Sequence, residues 1–328
     1  MINKPDSIGE PHWKNILITG CAGFIGNAVW NRFSNYRATE PLNGWKLKKY
    51  RNIGLDNLSR ETSVAPDFDS LQNHLFFLED INNIDDIPMP LPKLDAIIHL
   101  AAQVSVTQSV INPIEDMRTN AEGTLRMCML AKEHNCKLIY SSTNKVYGEL
   151  DGVEEPISDS RLFTPETPYG ISKCTGAQYV LDMLPDLGYV FHQSCIYGET
   201  QVGTIDQGWI GWLKNSIQNN IPVTCFGDGT QVRDLLHVED LIDIYEMALE
   251  NKLEPGSYVT GGGEENAYNF EEVLTMLGGK ISKYDDWRPH DQKYFVSSNE
   301  KLKKAGWTPK IKFTDWIRKV AVSLESGI

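Results

Sequence analysis

The sequence predicts an α/β fold: a doubly wound parallel sheet with helices on both faces, followed by a smaller region of mixed α and β structure. Short apolar runs alternate with helical stretches through the first 198 residues, and a glycine cluster separates the first run from the first helix. Beyond about Gly198 the rhythm breaks into shorter pieces divided by glycine and proline. Strand–helix–strand succession of this kind closes with right-handed crossovers. At 328 residues the chain exceeds the length at which a single core stops growing, so two domains, or one with an appendage, are expected.

The first strand is the run Asn15-Ile16-Leu17-Ile18-Thr19, apolar enough to be buried on both faces and stopped by Gly20. A helix follows over 24–36. The second strand ends at Ile53-Gly54-Leu55-Asp56, the third is Leu75-Phe76-Phe77-Leu78, and the fourth runs from Asp95 to Leu100. Apolar spacing predicts one long helix over 112–134, then a strand at 137–142 that ends in hydroxyl residues. A helix over 173–184 leads to a sixth strand at 189–196. Further helices are expected at 207–219, 238–250, 270–277 and 299–306. Residues 1–198, with a polar extension over about 1–14, form the first domain. Residues 199–328 form the second region, with some elements returning to the first.

Composition narrows the function classes. A net charge of -13, with no basic run, repels a phosphate backbone and argues against nucleic acid. No apolar stretch is long enough to span a bilayer and no basic-then-apolar leader is present, so a cytoplasmic protein without a membrane partner is expected. Cys21, Cys128, Cys136, Cys174, Cys195 and Cys225 are scattered, without metal or redox spacing; they read as reduced thiols, mostly in the core.

Two motifs carry chemistry. Gly20-Cys21-Ala22-Gly23-Phe24-Ile25-Gly26 stands between the first strand and the first helix, with Asp56 ending the second strand. Glycines allow a tight turn and close approach to a pyrophosphate, which rests on the helix N-terminus while a carboxylate accepts from the ribose. This is a Rossmann-type dinucleotide site. Asp56 repels a 2′-phosphate and favours NAD over NADP, a preference that nearby Arg60 weakens. The second motif is Tyr169-Gly170-Ile171-Ser172-Lys173, a phenol and an ammonium one helical turn apart. A free tyrosine, with a pKa of about 10, is a poor base. Lowering it by roughly three units takes about 4 kcal/mol, to be supplied by the ammonium and a cationic nicotinamide. Ser141-Ser142-Thr143 ends a strand just upstream and brings a hydroxyl to the same crevice.

With Val146-Tyr147-Gly148 added, the chain resembles the extended short-chain dehydrogenase/reductase family of nucleotide-sugar epimerases and dehydratases, from Ile16 to about Lys310. The resemblance implies a catalytic set of Thr143, Tyr169 and Lys173. It implies cofactor contacts from Gly20, Gly23, Phe24, Ile25, Asp56 and Asn57, and from Asp80 and Ile81 at the adenine. Leu100, Ala101 and Ala102 would line the pyrophosphate and nicotinamide, with Val104 at the substrate. Asn120 takes the family's polar position on the long helix and reads equally as a satisfied buried amide. Gly227 to Asp240 resembles the nucleotide-sugar motif, implying substrate contacts from Phe226 and Arg233. Arg288-Pro289-His290-Asp291 resembles a second clamp, with Arg288 on the diphosphate and Asp291 near the ribose. His99 and His237 read as structural histidines.

Ser142-Thr143-Asn144-Lys145-Val146-Tyr147-Gly148, Asp56-Asn57-Leu58-Ser59-Arg60 and the segment from Thr204 to Trp212 look like the CDP-tyvelose (CDP-paratose) 2-epimerases, with Asn144 at the substrate. In the dehydratases an Asp-Glu pair follows the hydroxyl residue; Asn144-Lys145 cannot perform that acid/base work. The resemblance therefore implies transient oxidation at C2 of an NDP-hexose, with NAD as cofactor, no metal, and a homodimer. A 4-epimerase, a net NDP-sugar dehydrogenase or reductase, and an NAD-binding redox sensor stay open. His192 and Cys195 depart from the family pattern, and the segment between Arg37 and Tyr50 is longer than usual.

Overall fold

The computed structural model describes residues 14–34, 50–66, 74–86 and 90–326; the leader before Lys14 and the long segment after Arg37 lie outside them. The strands β1 (Lys14–Thr19), β2 (Tyr50–Asp56), β3 (Leu75–Leu78), β4 (Ala96–His99), β5 (Lys137–Thr143) and β6 (Gly188–Gln193) match the apolar runs. Between them lie α1 (Phe24–Ser34), α2 (Val106–Ile111), α3 (Pro113–Met117), α4 (Gly123–His134) and α5 (Pro168–Met183). The remainder is β7 (Cys195–Tyr197), α6 (Trp209–Gln218), β8 (Val223–Phe226), β9 (Val232–His237), α7 (Val238–Leu249), β10 (Gly256–Thr260), β11 (Ala267–Asn269), α8 (Phe270–Met276), β12 (Ile281–Asp285), β13 (Tyr294–Phe295), α9 (Glu300–Lys304) and α10 (Phe313–Ser326).

Seven strands form one parallel sheet in the order β10-β6-β5-β4-β1-β2-β3. The order reverses between β1 and β4, which opens a crevice at their carboxyl ends. One face packs Val29, Trp30 and Phe33 of α1 against Leu241 and Tyr245 of α7; the other packs Met127 and Ala131 of α4 against Ala177 and Val180 of α5. A second core gathers α6, α8 and α10 around Leu213, Val273 and Trp316. Strand β10 and helix α7, late in the chain, complete the first sheet and its cover.

Three expectations change. The sixth strand does not run on to Ile196. Ser194 donates its N–H to Thr260 and its hydroxyl to the Asp234 carbonyl, and the chain leaves the sheet so that β7 pairs with β9. The long helix begins earlier, as α2, and is interrupted. Asn112 caps the end of α2, Pro113 opens α3 where its missing N–H costs nothing, and a π-turn over Arg118–Glu122 joins α3 to α4. Helix α5 starts at Pro168 rather than near Lys173, because Thr167 accepts the Gly170 N–H at 3.0 Å and caps it there. That extra turn is the one carrying Tyr169.

Candidate active site

The glycine turn, the carboxyl ends of β4 and β5, the first turn of α5 and the loops after β7, β8 and β12 enclose one cavity of about 1030 Å³. Gly20 has φ +68°, and a Cβ there would meet the Ala101 nitrogen at 2.6 Å; at Gly26 a Cβ would stand 2.1 Å from the Gly20 carbonyl oxygen. The turn thus folds tightly enough to bring its backbone to the cavity wall, which Gly20, Gly23, Phe24 and Ile25 line. Asp56 is buried; its carboxylate accepts the Ala22 N–H at 2.9 Å and the Leu58 N–H at 2.8 Å, tying the glycine turn to the end of β2.

Opposite, Leu100, Ala102 and Val104 line the cavity after β4. Thr19 holds this strand end, accepting the Leu100 and Ala101 N–H groups at 3.2 Å each while its hydroxyl meets His99 Nδ1 at 2.7 Å. His99 Nε2 meets the Thr124 hydroxyl at 3.1 Å, and burial together with the Lys173 charge lowers its pKa to about 3. It is a neutral structural histidine.

Tyr169 and Lys173 share one face of α5 and both reach the cavity. The Thr143 hydroxyl hydrogen-bonds the phenol and favours its ionised form. Burial nevertheless dominates, and the protein groups alone push Tyr169 up to about 12. The expected depression by Lys173 is absent from this balance. The Lys173 ammonium donates instead to the Ser141 carbonyl at 2.6 Å and sits 4.3 Å from the centre of the Tyr140 ring. Burial lowers Lys173 to about 7, with Asp116 opposing. Arg60 also lines the cavity, and its charge favours the Tyr169 phenolate.

The C-terminal wall is built from charged side chains. Arg233 is buried on β9 and donates to Asp291 at 3.0 Å; Lys145 lies 3.6 Å from the same carboxylate oxygen and donates to the His290 carbonyl. Arg288 stacks on Phe226 with its guanidinium carbon 4.0 Å from the ring centre and donates to the Ile205 carbonyl at 3.0 Å. Gln292 donates to the carbonyls of Asn144 and Gly148, strapping this segment onto the turn after β5. Asn144 is buried, with its side-chain oxygen 3.2 Å from the Thr143 hydroxyl.

The structure therefore brings Thr143, Asn144, Tyr169, Lys173, Phe226, Arg233, Arg288 and Asp291 to one cavity. Asp56, Asn57, Asp80, Ile81 and Ala101 do not line it. Asn57 donates to Asp80 at 2.8 Å, and Ile81 packs in the core against Gly123. Asn120 is a satisfied amide between Gln103, Asp116 and Ser172. His237 caps α7 and meets Glu199 at 3.1 Å. His192 points away from the cavity, between Ser142 and Ser257, whereas Cys195 lines it with its sulfur 3.2 Å from Trp209 Nε1. The pairing of Asp291 with both Arg233 and Lys145 had no sequence signal, since it joins residues 58 and 146 positions apart.

A sequence profile described as the NAD dependent epimerase/dehydratase family matches residues 16–261. The chain belongs to that family. Among curated proteins, the CDP-paratose 2-epimerase of Salmonella typhi is 35% identical, the alignment covering 93% of this chain and 97% of that one. A putative UDP-glucose 4-epimerase of Methanocaldococcus jannaschii is 29% identical over 93% and 96%. The crystal structure of the Thermotoga maritima UDP-glucose 4-epimerase with UDP-glucose superposes with a TM-score of 0.80 at 27% identity, covering 95% and 97%. This epimerase/dehydratase-family chain is an NAD-dependent enzyme on a Rossmann-type sheet. Among the described residues no helix is long and apolar enough to cross a membrane.

Proposed function

We propose that this enzyme epimerises a nucleotide-diphosphate hexose at C2 through a bound 2-keto sugar. The observation that carries the reading is the turn after β5. Thr143 reaches Tyr169, but the next two residues are an amide and an ammonium, and Lys145 is engaged with Asp291 and the His290 carbonyl. The carboxyl pair that water loss requires is missing from this turn. Similarity to a CDP-paratose 2-epimerase supports the same reading.

The cradle of Gly20, Gly23, Phe24 and Ile25, with Asp56 behind it and Lys173 facing it, fits a dinucleotide; NAD, when bound, supplies the hydride acceptor and donor. Tyr169 takes the proton of the sugar hydroxyl and later returns it, and Thr143 hydrogen-bonds the reacting oxygen. The missing depression of the Tyr169 pKa is assigned to the nicotinamide charge. Arg233, released from part of its bond to Asp291, and Arg288 grip the diphosphate, to which a planar donor fork is suited. Rotation of the keto sugar exposes its other face before reduction.

The enzyme is read as cytoplasmic and homodimeric; exposed Ile114 and Met117 on α3 and Ile171 on α5 offer an apolar face for a second copy. The test is incubation with CDP-paratose, CDP-tyvelose and UDP- or GDP-hexoses, read by proton NMR. Inversion at C2 without accumulation of NADH is expected; inversion only at C4 overturns the reading in favour of a 4-epimerase.

A further inference from the structure

Asp116 lies on α3, is 1% exposed, and belongs to no motif used above. Its carboxylate receives three hydrogen bonds: from the Ser172 hydroxyl at 2.5 Å, from Gln103 Nε2 at 2.8 Å and from Asn120 Nδ2 at 3.1 Å. The orientation of both amides is fixed independently. Asn120 Oδ1 accepts the Gln103 N–H, and Gln103 Oε1 accepts the Ser105 N–H, so each amide must turn its NH₂ toward Asp116. Asn120 also approaches Ser172 Oγ at 3.2 Å, leaving the serine one proton for the carboxylate at 2.5 Å and the Tyr169 carbonyl at 3.1 Å. The two amides present only donors to Asp116 and so favour its ionised form, while burial raises its pKa above the usual carboxylate value.

This buried anion sits under the turn of α5 that carries Tyr169 and Lys173. Ser172 is the neighbour of Lys173 in sequence and also bonds the Tyr169 carbonyl. The groups around the pair are few. Among the described residues, Lys173 faces Tyr140, neutral His99 and His192, and Asp116; Tyr169 faces Thr143, Tyr140, Arg60 and Asp116. Asp116 is the charge that supports the Lys173 ammonium against burial, and the charge that opposes the Tyr169 phenolate.

We propose that Asp116 is a positioning residue for the reaction: its carboxylate, locked by Ser172, Gln103 and Asn120, fixes the first turn of α5 and sets the proton balance between Tyr169 and Lys173. The proposal rests on the reading of Tyr169 and Lys173 as the acid/base pair.

Its signature is a displacement of the pH profile. The active form has tyrosine deprotonated and lysine protonated, so kcat/KM rises with the first ionisation of the coupled pair and falls with the second. Removing the Asp116 charge favours the phenolate and disfavours the ammonium, so both limbs move to lower pH. In Asp116→Asn each limb should shift down by about one unit. Asp116→Glu, which keeps the charge, should leave both limbs in place even where kcat falls. A second readout needs no substrate: the near-ultraviolet tyrosinate signal of each protein minus that of its Tyr169→Phe counterpart should titrate at lower pH in Asp116→Asn. If Asp116→Asn does not fold, Asp116→Ser removes the same charge and is measured the same way. A profile that only scales down, with limbs and tyrosinate titration unmoved, overturns the proposal. A fully active Tyr169→Phe variant instead overturns the acid/base reading, and the tyrosinate measurement keeps the two failures apart.

Discussion

The two walls of the cavity are made differently. On the sheet side, groups are placed by backbone: Gly20 by its positive φ, the segment after β4 by two N–H bonds to Thr19, and Tyr169 and Lys173 by a capped helix end. On the C-terminal side, placement depends on long charged side chains that satisfy one another. Arg233 and Lys145 share Asp291, and Arg288 rests on Phe226. A backbone-built wall suits chemistry whose geometry must not change, because the cost of reorganisation has been met in folding. A wall of mutually paired charges can release those charges to an anionic ligand. Substitutions on the first wall should therefore strike turnover or cofactor retention, and substitutions on the second should strike substrate affinity.

The largest effect is expected at Tyr169. Tyr169→Phe removes the proposed proton-transfer group and should lower kcat by about 10²–10⁴-fold, with NAD still bound. Stopped assays of sugar inversion beside NAD quantitation check this, and a loss confined to KM would break the contrast between the walls. Next is Gly26→Ala. The new Cβ would stand 2.1 Å from the Gly20 carbonyl oxygen, a backbone atom that cannot yield without moving the turn. We expect a stability loss of about 1–3 kcal/mol and loss of NAD on gel filtration; an unchanged Tm with full NAD content would mean that the turn is not the rigid element described.

The same contrast decides what was legible in the sequence. Parallel strands buried on both faces read as unbroken apolar runs, and β1 to β5 were found from them within a residue or two. Breaks set by a single polar side chain were not. Ser194 ends β6 through bonds to Thr260 and Asp234, residues far along the chain, and nothing local announces it. The π-turn at Arg118–Glu122 interrupts a run whose periodicity looks continuous. Resemblance picked out Arg233 and Arg288 as motif residues, but their partners come from other segments and appear only in three dimensions. Asp116 did carry a signal: it lies four residues before Asn120, on the same helical face.

A pH-dependent effect follows from the buried histidines behind the sheet-side wall. Burial first, and the Lys173 charge second, lower both His99 and His192 from 6.5 to about 3. Below pH 6.5 the unfolded chain takes up protons that the folded chain refuses, so stability falls as pH falls toward 3, by up to about 1.4 kcal/mol per pH unit for each histidine. His192→Gln should flatten the pH dependence of the urea midpoint in that window by one histidine's share, whatever its effect on the absolute stability. An unaltered slope would place His192 in water rather than between Ser142 and Ser257.

The C-terminal wall should respond in affinity alone, and unequally. Arg233→Lys keeps the charge but loses the fork that can hold Asp291 and an oxygen of the ligand together; KM for the sugar nucleotide should rise about tenfold, or about 1.4 kcal/mol, with kcat nearly unchanged. Arg288 is a third exposed, and its stacking on Phe226 is worth about 0.5–1 kcal/mol at such a site. In Arg288→Ala the loss should be about threefold in KM and should shrink as salt is added, because a partly exposed charge is screened where the buried Arg233 is not. If Arg288→Ala instead lowered kcat and left KM alone, the C-terminal wall would be shaping the reacting geometry, and the division of labour between the two walls would fail.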